Sequence, residues 1–282
     1  MTLLVTTLNA LAERPIPIYQ TKQATNLLQA TNIDCQHVLY QEKLTPLKCF
    51  GLSYDSYYAA SDGHNPPYYR KIEGSVVELT CRQSVGARLS DVNSFIAPLG
   101  LELHVWDAFR TIDCQKSLWN FFVDEAKMVL RDPTYEECAS FAAKYCSDPN
   151  ALKHDIPSTW PTHLTGGAID LTLKRRSTGE LLFMGGVYDD PDEISHVDFF
   201  ETESANAFRG NDSLQLTVSE REAQRNRRLL YHAMIAHGFS NYPYEWWHYD
   251  WGNAFWVANW RADVAGAKPH AAFYNPILDV EN

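Results

Sequence analysis

The chain has 282 residues, 35 acidic against 24 basic side chains, a formal net charge of −11 and 45% hydrophobic residues. That balance argues against a nucleic-acid partner, whose phosphates most of the surface would repel, and no stretch approaches the ~20 apolar residues of a membrane span. The six cysteines, at 35, 49, 81, 114, 138 and 146, form no C-x-x-C pair; a chain this long does not need disulfide staples, so reduced, mostly buried thiols are expected.

In chain order, the first 50 or so residues stand apart. P-I-P-I-Y from Pro15 to Tyr19 and a polar stretch around Leu27 and Leu28 predict an N-terminal extension, residues 1–50, packed on a single catalytic domain of residues 51–282 or lying over its cleft. The opening M-T-L-L-V-T-T-L lacks the charged start and sustained apolar core of a secretory signal, so a cytoplasmic protein is expected. A strand is predicted near 76–80 and a helix over 82–97, with Leu89, Val92, Phe95 and Ile96 on one face. L-E-L-H-V alternates and predicts a strand at 101–106, which delivers Asp107 to Arg110 at its exit.

Helices follow at roughly 115–130 and 135–146. In the strand predicted at 168–174, Ile169, Leu171 and Leu173 face one side and Asp170 and Thr172 the other, so Asp170 sits on a rigid, half-buried element. K-R-R-S-T-G-E has the turn chemistry of a hairpin into a strand at 180–184. Ser219 and Glu222 fit a capping box at the start of a helix that Gly238 closes, with Leu229, Leu230, Ala233 and Met234 as its apolar stripe and Arg221 to Arg228 as a solvated face. Strands at 244–249 and 254–258 are joined through D-W-G-N. Helices mixed with a largely antiparallel sheet make the expected fold class α+β.

Two clusters carry chemistry: T-H-L-T-G-G-A-I-D-L-T-L from Thr162 to Leu173, and Y-E-W-W-H-Y from Tyr244 to Tyr249. Together they offer His163, Asp170 and His248 as a three-ligand zinc set with Glu245 to spare. Two imidazoles and a carboxylate leave the fourth tetrahedral position for water, and a carboxylate that does not bind the metal serves as general base and acid. Gly166 and Gly167 permit a tight turn after His163. Glu245 and His248 are three apart and would point to opposite faces of a regular strand, so a bulge or early turn is required between them. Five of the eight tryptophans fall between Trp246 and Trp260, which predicts core packing around this cluster.

These residues resemble the zinc D,D-peptidase superfamily that includes lysostaphin-type enzymes and the hedgehog signalling domain, and within it the D-alanyl-D-alanine dipeptidases of the VanX type. The pattern H-x-x-G-x-A-x-D is met by His163, Gly166, Ala168 and Asp170, and E-x-W-H by Glu245, Trp247 and His248. The similarity extends over most of residues 54–250, through W-D-A-F-R (Trp106 to Arg110), T-G-E-L-L-F-M-G (Thr178 to Gly185), Y-D-D (Tyr188 to Asp190), S-H (Ser195 and His196) and N-R-R-L-L (Asn226 to Leu230).

The resemblance implies one Zn2+ per chain on His163, Asp170 and His248, Glu245 as general base and acid, and Arg110 steadying the scissile carbonyl as it becomes an oxyanion. It further implies that Asp189, in a tract similar to M-G-x-x-F-D, holds the ammonium of a small peptide substrate, with Tyr58 as a further contact. His196 is expected to support the site from outside. Three positions depart from the pattern: Pro161 replaces a serine, Thr111 a proline, and Gly186 a serine or threonine. The implied activity is hydrolysis of small unblocked dipeptides, D-Ala-D-Ala or a relative. The alternatives are a D,D- or L,D-carboxypeptidase or amidase with a changed pocket, and a zinc-bearing binding module without catalysis.

Overall fold

The computed structural model describes residues 2–19, 28–201 and 215–278. Its strands are β1 (Leu44–Pro46), β2 (Ser53–Tyr54), β3 (Thr80–Arg82), β4 (Leu101–Asp107), β5 (Ala168–Arg175), β6 (Ser240–Asn241) and β7 (His248–Asp250). Its α-helices are α1 (Thr2–Leu11), α2 (Gln83–Ile96), α3 (Ile112–Val129), α4 (Tyr135–Ala142), α5 (Val218–Ile235) and α6 (Ala254–Ala258). The fold is α+β, as the pattern predicts. A five-stranded sheet runs β2-β4-β5-β7-β6, with β2 parallel to β4 and every other neighbour antiparallel, while β1 and β3 form a separate pair. Among the described residues no helix is long and apolar enough to cross a membrane.

Alternation decides which side of the sheet is core. Ile169, Leu171 and Leu173 of β5 are fully buried, in one apolar cluster with Val85, Leu89, Val92 and Ile96 of α2 and Leu230 and Met234 of α5. Each such side chain contributes about 1.5–3 kcal/mol. The opposite face is also shielded: Asp170 and Thr172 are 3% and 1% exposed, so residues 168–173 of β5 are buried on both faces rather than one. Residues of α3 and the segment after α4 stand over that polar face and enclose a cavity there.

One irregularity sets up the site. β4 and β5 keep register with Leu103 opposite Leu173 and Val105 opposite Leu171, and then a bulge at Trp106 puts Asp107 opposite Asp170. Without the extra residue Asp107 would share the core face of Leu103 and Val105; the bulge re-aims it onto the polar face. On the other side of β5, His248 pairs with Asp170. Asp107, Asp170 and His248, from three adjacent strands, therefore stand side by side at one level of the sheet.

Several elements differ from the sequence-based expectation. Residues 76–79 are irregular, with a bend at 77–78, and pairing begins only at Thr80, against β1. The 180–184 strand reduces to a bridge between Lys174 and Leu181, because the carbonyls of Phe183 and Met184 are taken by Asn226 and Arg227 of α5. Residues 254–258 are helical: Asn253 Oδ1 accepts from Trp256 N at 2.9 Å, an N-cap that overrides the strand preference of the aromatic residues. The helix predicted to reach 146 stops at Ala142. The capping box of α5 is Thr217 with Glu220, two residues before the predicted pair. Its basic run is not uniformly solvated either, since Arg227 is 1% exposed.

Of residues 1–50, 2–19 lie against α5, Ile33 bridges to Ala272, and Leu44–Pro46 form β1. Leu8, Ala12 and Ile16 are buried, His232 Nε2 is 3.0 Å from Arg14 O, and the Tyr19 ring meets Tyr244 edge-on at 6.2 Å.

Candidate active site

His163 is presented by a 3-10 turn, Thr162–Thr165, closed by Gly166 in the left-handed region at φ 69°. At Gly167 a Cβ would come within 2.5 Å of Trp251 O, so glycine is required for that close approach. His163 Nδ1 lies 2.7 Å from Ala108 O, which makes it the protonated nitrogen and leaves the Nε2 lone pair free. That Nε2 is 3.3 Å from Asp170 Oδ2 and 3.3 Å from His248 Nδ1.

His248 Nδ1 is 2.9 Å from Asp170 Oδ1, while its Nε2 faces Asp250 Oδ2 at 3.1 Å. Asp250 is itself held by Thr162 Oγ1 at 2.8 Å and Asn253 Nδ2 at 2.6 Å. The predicted early turn precedes His248, with Glu245 N bonded to Tyr242 O and His248 N to Glu245 O. Trp246 N is tied to Ser195 O and Val197 N to Pro243 O.

The donor set fits zinc. His163, Asp170 and His248 are all buried and bring three donor atoms within 4.8 Å of one another. Each imidazole has its far nitrogen oriented by an oxygen, the outer arrangement that metal-binding histidines use. The electrostatics agree. Burial pushes the Asp170 carboxyl up, but His163 and His248 outweigh it and hold the group well below its ordinary range. Burial pushes His248 down, yet Asp250 and Asp170 on either side draw it strongly toward the charged form. The site attracts positive charge.

Glu245 is half-buried, with Oε2 3.5 Å from His248 Nδ1. Burial raises its carboxyl to about 7, against the opposing pull of His248. Arg110 is fixed from three sides. Nε and Nη2 reach Asp107 Oδ2 at 3.0 and 2.8 Å, Nη1 donates to Gln115 Oε1 at 2.8 Å, and Nη2 donates to Tyr58 OH at 3.2 Å. Its guanidinium also lies over the Tyr58 ring at 4.8 Å.

Asp189 has φ 66°, a left-handed conformation that costs a residue with a Cβ roughly 1–2 kcal/mol. Its Oδ2 accepts from Tyr68 OH at 2.5 Å and Tyr58 OH at 3.3 Å. Burial lifts it to about 6, with those phenols and Arg110 pulling the other way. Its loop is held by Arg227, which donates from Nε to Met184 O at 2.6 Å, from Nη1 to His196 O at 2.8 Å and from Nη2 to Ile194 O at 2.7 Å.

His163, Asp170, His248, Glu245, Arg110, Asp189 and Tyr58 all line one cavity of about 150 Å³. This is small beside the ~300–1,000 Å³ of sites for drug-sized molecules. Of the three departures, only Pro161 borders it. Thr111 caps α3, accepting from Cys114 N and donating to Gly74 O, and Gly186 lines a separate, larger cavity with Trp106 and Tyr188. The His196 ring packs edge-on against Tyr244, 5.0 Å between centroids, outside the cavity. Residues absent from the sequence-based site are Asp107, Gln115, Tyr68, Tyr188, Asp250 and Arg227. Three of them, Asp107, Tyr188 and Arg227, lie in the resembling tracts W-D-A-F-R, Y-D-D and N-R-R-L-L.

The family model for D-Ala-D-Ala dipeptidases, a peptidase family, matches residues 50–265. The chain belongs to this family. It is therefore a metallopeptidase by descent. A D-alanyl-D-alanine dipeptidase of Enterococcus faecalis is 30% identical over 205 residues, covering 71% of this chain and 85% of that protein. The Streptomyces coelicolor enzyme of the same name is 28% identical, again over 71% and 85% of the two chains. The Synechocystis sp. enzyme is 31% identical over 55% of this chain, which spans only 62% of its length. A solved VanYB in complex with D-alanine-D-alanine aligns at TM-score 0.36 and 14% identity, over 70% of this chain and 86% of that one, too loosely to carry an argument.

Proposed function

We propose that this protein is a zinc-dependent dipeptidase acting on small unblocked dipeptides, with D-Ala-D-Ala or a related D-configured dipeptide as substrate. The observation that supports it most is the layout of one small cavity: metal donors and Glu245 at one end, Asp189 with its two phenols at the other, and Arg110 held still by Asp107, Gln115 and Tyr58. His163, Asp170 and His248 would hold one zinc ion, which would supply Lewis-acid polarisation. Glu245 takes a proton from the attacking water and returns it to the departing amine, a role suited to a carboxyl raised to about 7. Arg110 donates to the carbonyl oxygen as charge grows there; held by Asp107 and Gln115, it needs no reorganisation at that moment.

Asp189 binds the free ammonium, and Tyr58 orients Asp189 and Arg110 through one hydroxyl. A carboxylate buried in a cavity this small disfavours capped or longer peptides. All six cysteines are unpaired, the state that a reducing compartment maintains, which supports a cytoplasmic setting. The test is product release by zinc-loaded protein from D-Ala-D-Ala, its L,L and mixed isomers, and their N-acetylated forms, with and without a chelator. Chelator-sensitive cleavage of the free D,D-dipeptide alone is expected. Equal cleavage of the N-acetylated forms would remove Asp189 from its role, and no cleavage of any of them would overturn the reading.

A further inference from the structure

Asp170 offers two carboxylate oxygens to its surroundings. Oδ1 faces His248 Nδ1, and Oδ2 receives the Tyr188 hydroxyl at 2.7 Å, the shortest hydrogen bond that this carboxylate makes. A carboxylate only accepts, so the phenol spends its single proton on Asp170. The Tyr188 oxygen lies 3.2 Å from that of Tyr58, which accepts from Arg110 Nη2 at 3.2 Å. Tyr58 gives its own proton to Asp189 Oδ2, so the two phenols stand side by side and each serves a different carboxylate.

The Tyr188 ring has a separate duty. It packs on Tyr57, Trp106 and Trp247 at centroid distances of 4.6, 4.8 and 5.3 Å, lining the larger cavity and backing Trp247, which lines the catalytic one. Phenylalanine would fill that place equally well. What tyrosine adds is the hydroxyl on Asp170. The left-handed turn at Asp189 directs two consecutive side chains inward, Asp189 toward Tyr58 and Tyr68 and Tyr188 toward Asp170.

We propose that Tyr188 is a positioning residue of the metal centre, whose hydroxyl holds Oδ2 of Asp170 and so fixes how that carboxylate meets the ion. This rests on the zinc reading above. Outer hydrogen bonds of this kind tune metal affinity by about 10–100-fold. The bond also joins the metal end of the cavity to the Tyr58–Asp189 end, so that one loop supports both.

The test compares wild type, Tyr188→Phe and Tyr57→Phe. The last removes a neighbouring phenol that donates to Pro66 O and makes no bond to Asp170. Zinc affinity is measured by competition with a chromophoric chelator, the cobalt-substituted proteins are examined by visible absorption, and the metal-free forms are melted. Tyr188→Phe should weaken zinc binding about tenfold or more and alter the cobalt spectrum while the metal-free melting temperature stays near wild type. Tyr57→Phe should leave affinity and spectrum unchanged. Unchanged zinc affinity and cobalt spectrum in Tyr188→Phe would overturn the inference alone, as would a loss of affinity fully matched by Tyr57→Phe. A wild-type protein that binds no zinc would overturn the zinc reading, and this inference with it.

Discussion

The two ends of the catalytic cavity are built differently. The metal end stands on regular backbone: Asp170 and His248 face each other across a strand pair, and His163 follows from a turn that a glycine closes. The anchoring end hangs on an irregular loop, residues 184–196, in which Asp189 has a left-handed backbone and Arg227 binds three carbonyls from behind. Strand register places ligands to within a fraction of an ångström and resists change, as a metal requires. A loop held by one buried guanidinium adapts more readily, and the recognition of a peptide terminus tolerates that.

If this division is right, damage to the metal end should abolish activity and damage to the anchor should redistribute it. Asp170→Ala should lose zinc by more than ~100-fold in affinity, since it removes a ligand rather than an outer contact, with activity below detection; metal analysis and turnover assays check this. Arg110→Met should lower kcat/KM by about 10²–10³-fold. It should also cost roughly 3–5 kcal/mol in denaturant melts, because Asp107 would be left as a buried, unpaired charge. Asp189→Asn should raise KM for the free dipeptide by about 10–100-fold with a smaller effect on kcat and on the melting temperature. A fall in kcat and melting temperature with KM unchanged would mean that Asp189 supports the fold and not the ammonium.

Two smaller effects sharpen the comparison. In the metal-free protein, burial raises Glu245 from 4.5 to about 7 and Asp189 from 3.8 to about 6. Folding therefore favours their protonated forms: their contribution is complete below about pH 4 and is lost as pH rises through 6 to 7. The metal-free melting temperature should accordingly fall between pH 5 and 8, and Glu245→Gln should flatten that fall. Far from the cavity, Thr217→Ala removes the α5 cap and should cost about 1 kcal/mol with no change in turnover.

The difference between the two ends also explains what could be seen in advance. Alternation along Ala168–Arg175 and the spacing of Glu245 and His248 are local, so the strand, the required turn and the metal-end residues were legible from sequence, whereas Asp189 and Tyr58 were reached only through the family resemblance. The bulge at Trp106 was not, because it exists only in the pairing of β4 with β5, and it is what turns Asp107 toward Arg110 and His163. Arg227 reads as one more charge in a basic helix until the 184–196 loop folds over it. Leu181 to Gly185 carries a strand-like pattern, but side chains 40 residues away claim its carbonyls. The Asn253 cap beat the aromatic content of Ala254–Ala258, a competition that composition alone does not decide.

The most direct test of the central claim, that three buried ligands hold a metal while a second carboxylate moves the proton, is Glu245→Gln assayed for zinc content and D-Ala-D-Ala turnover on the same sample. The account predicts one zinc per chain and a loss of turnover of about 10²–10⁴-fold. Turnover near wild type, or a variant that no longer holds zinc, would contradict it.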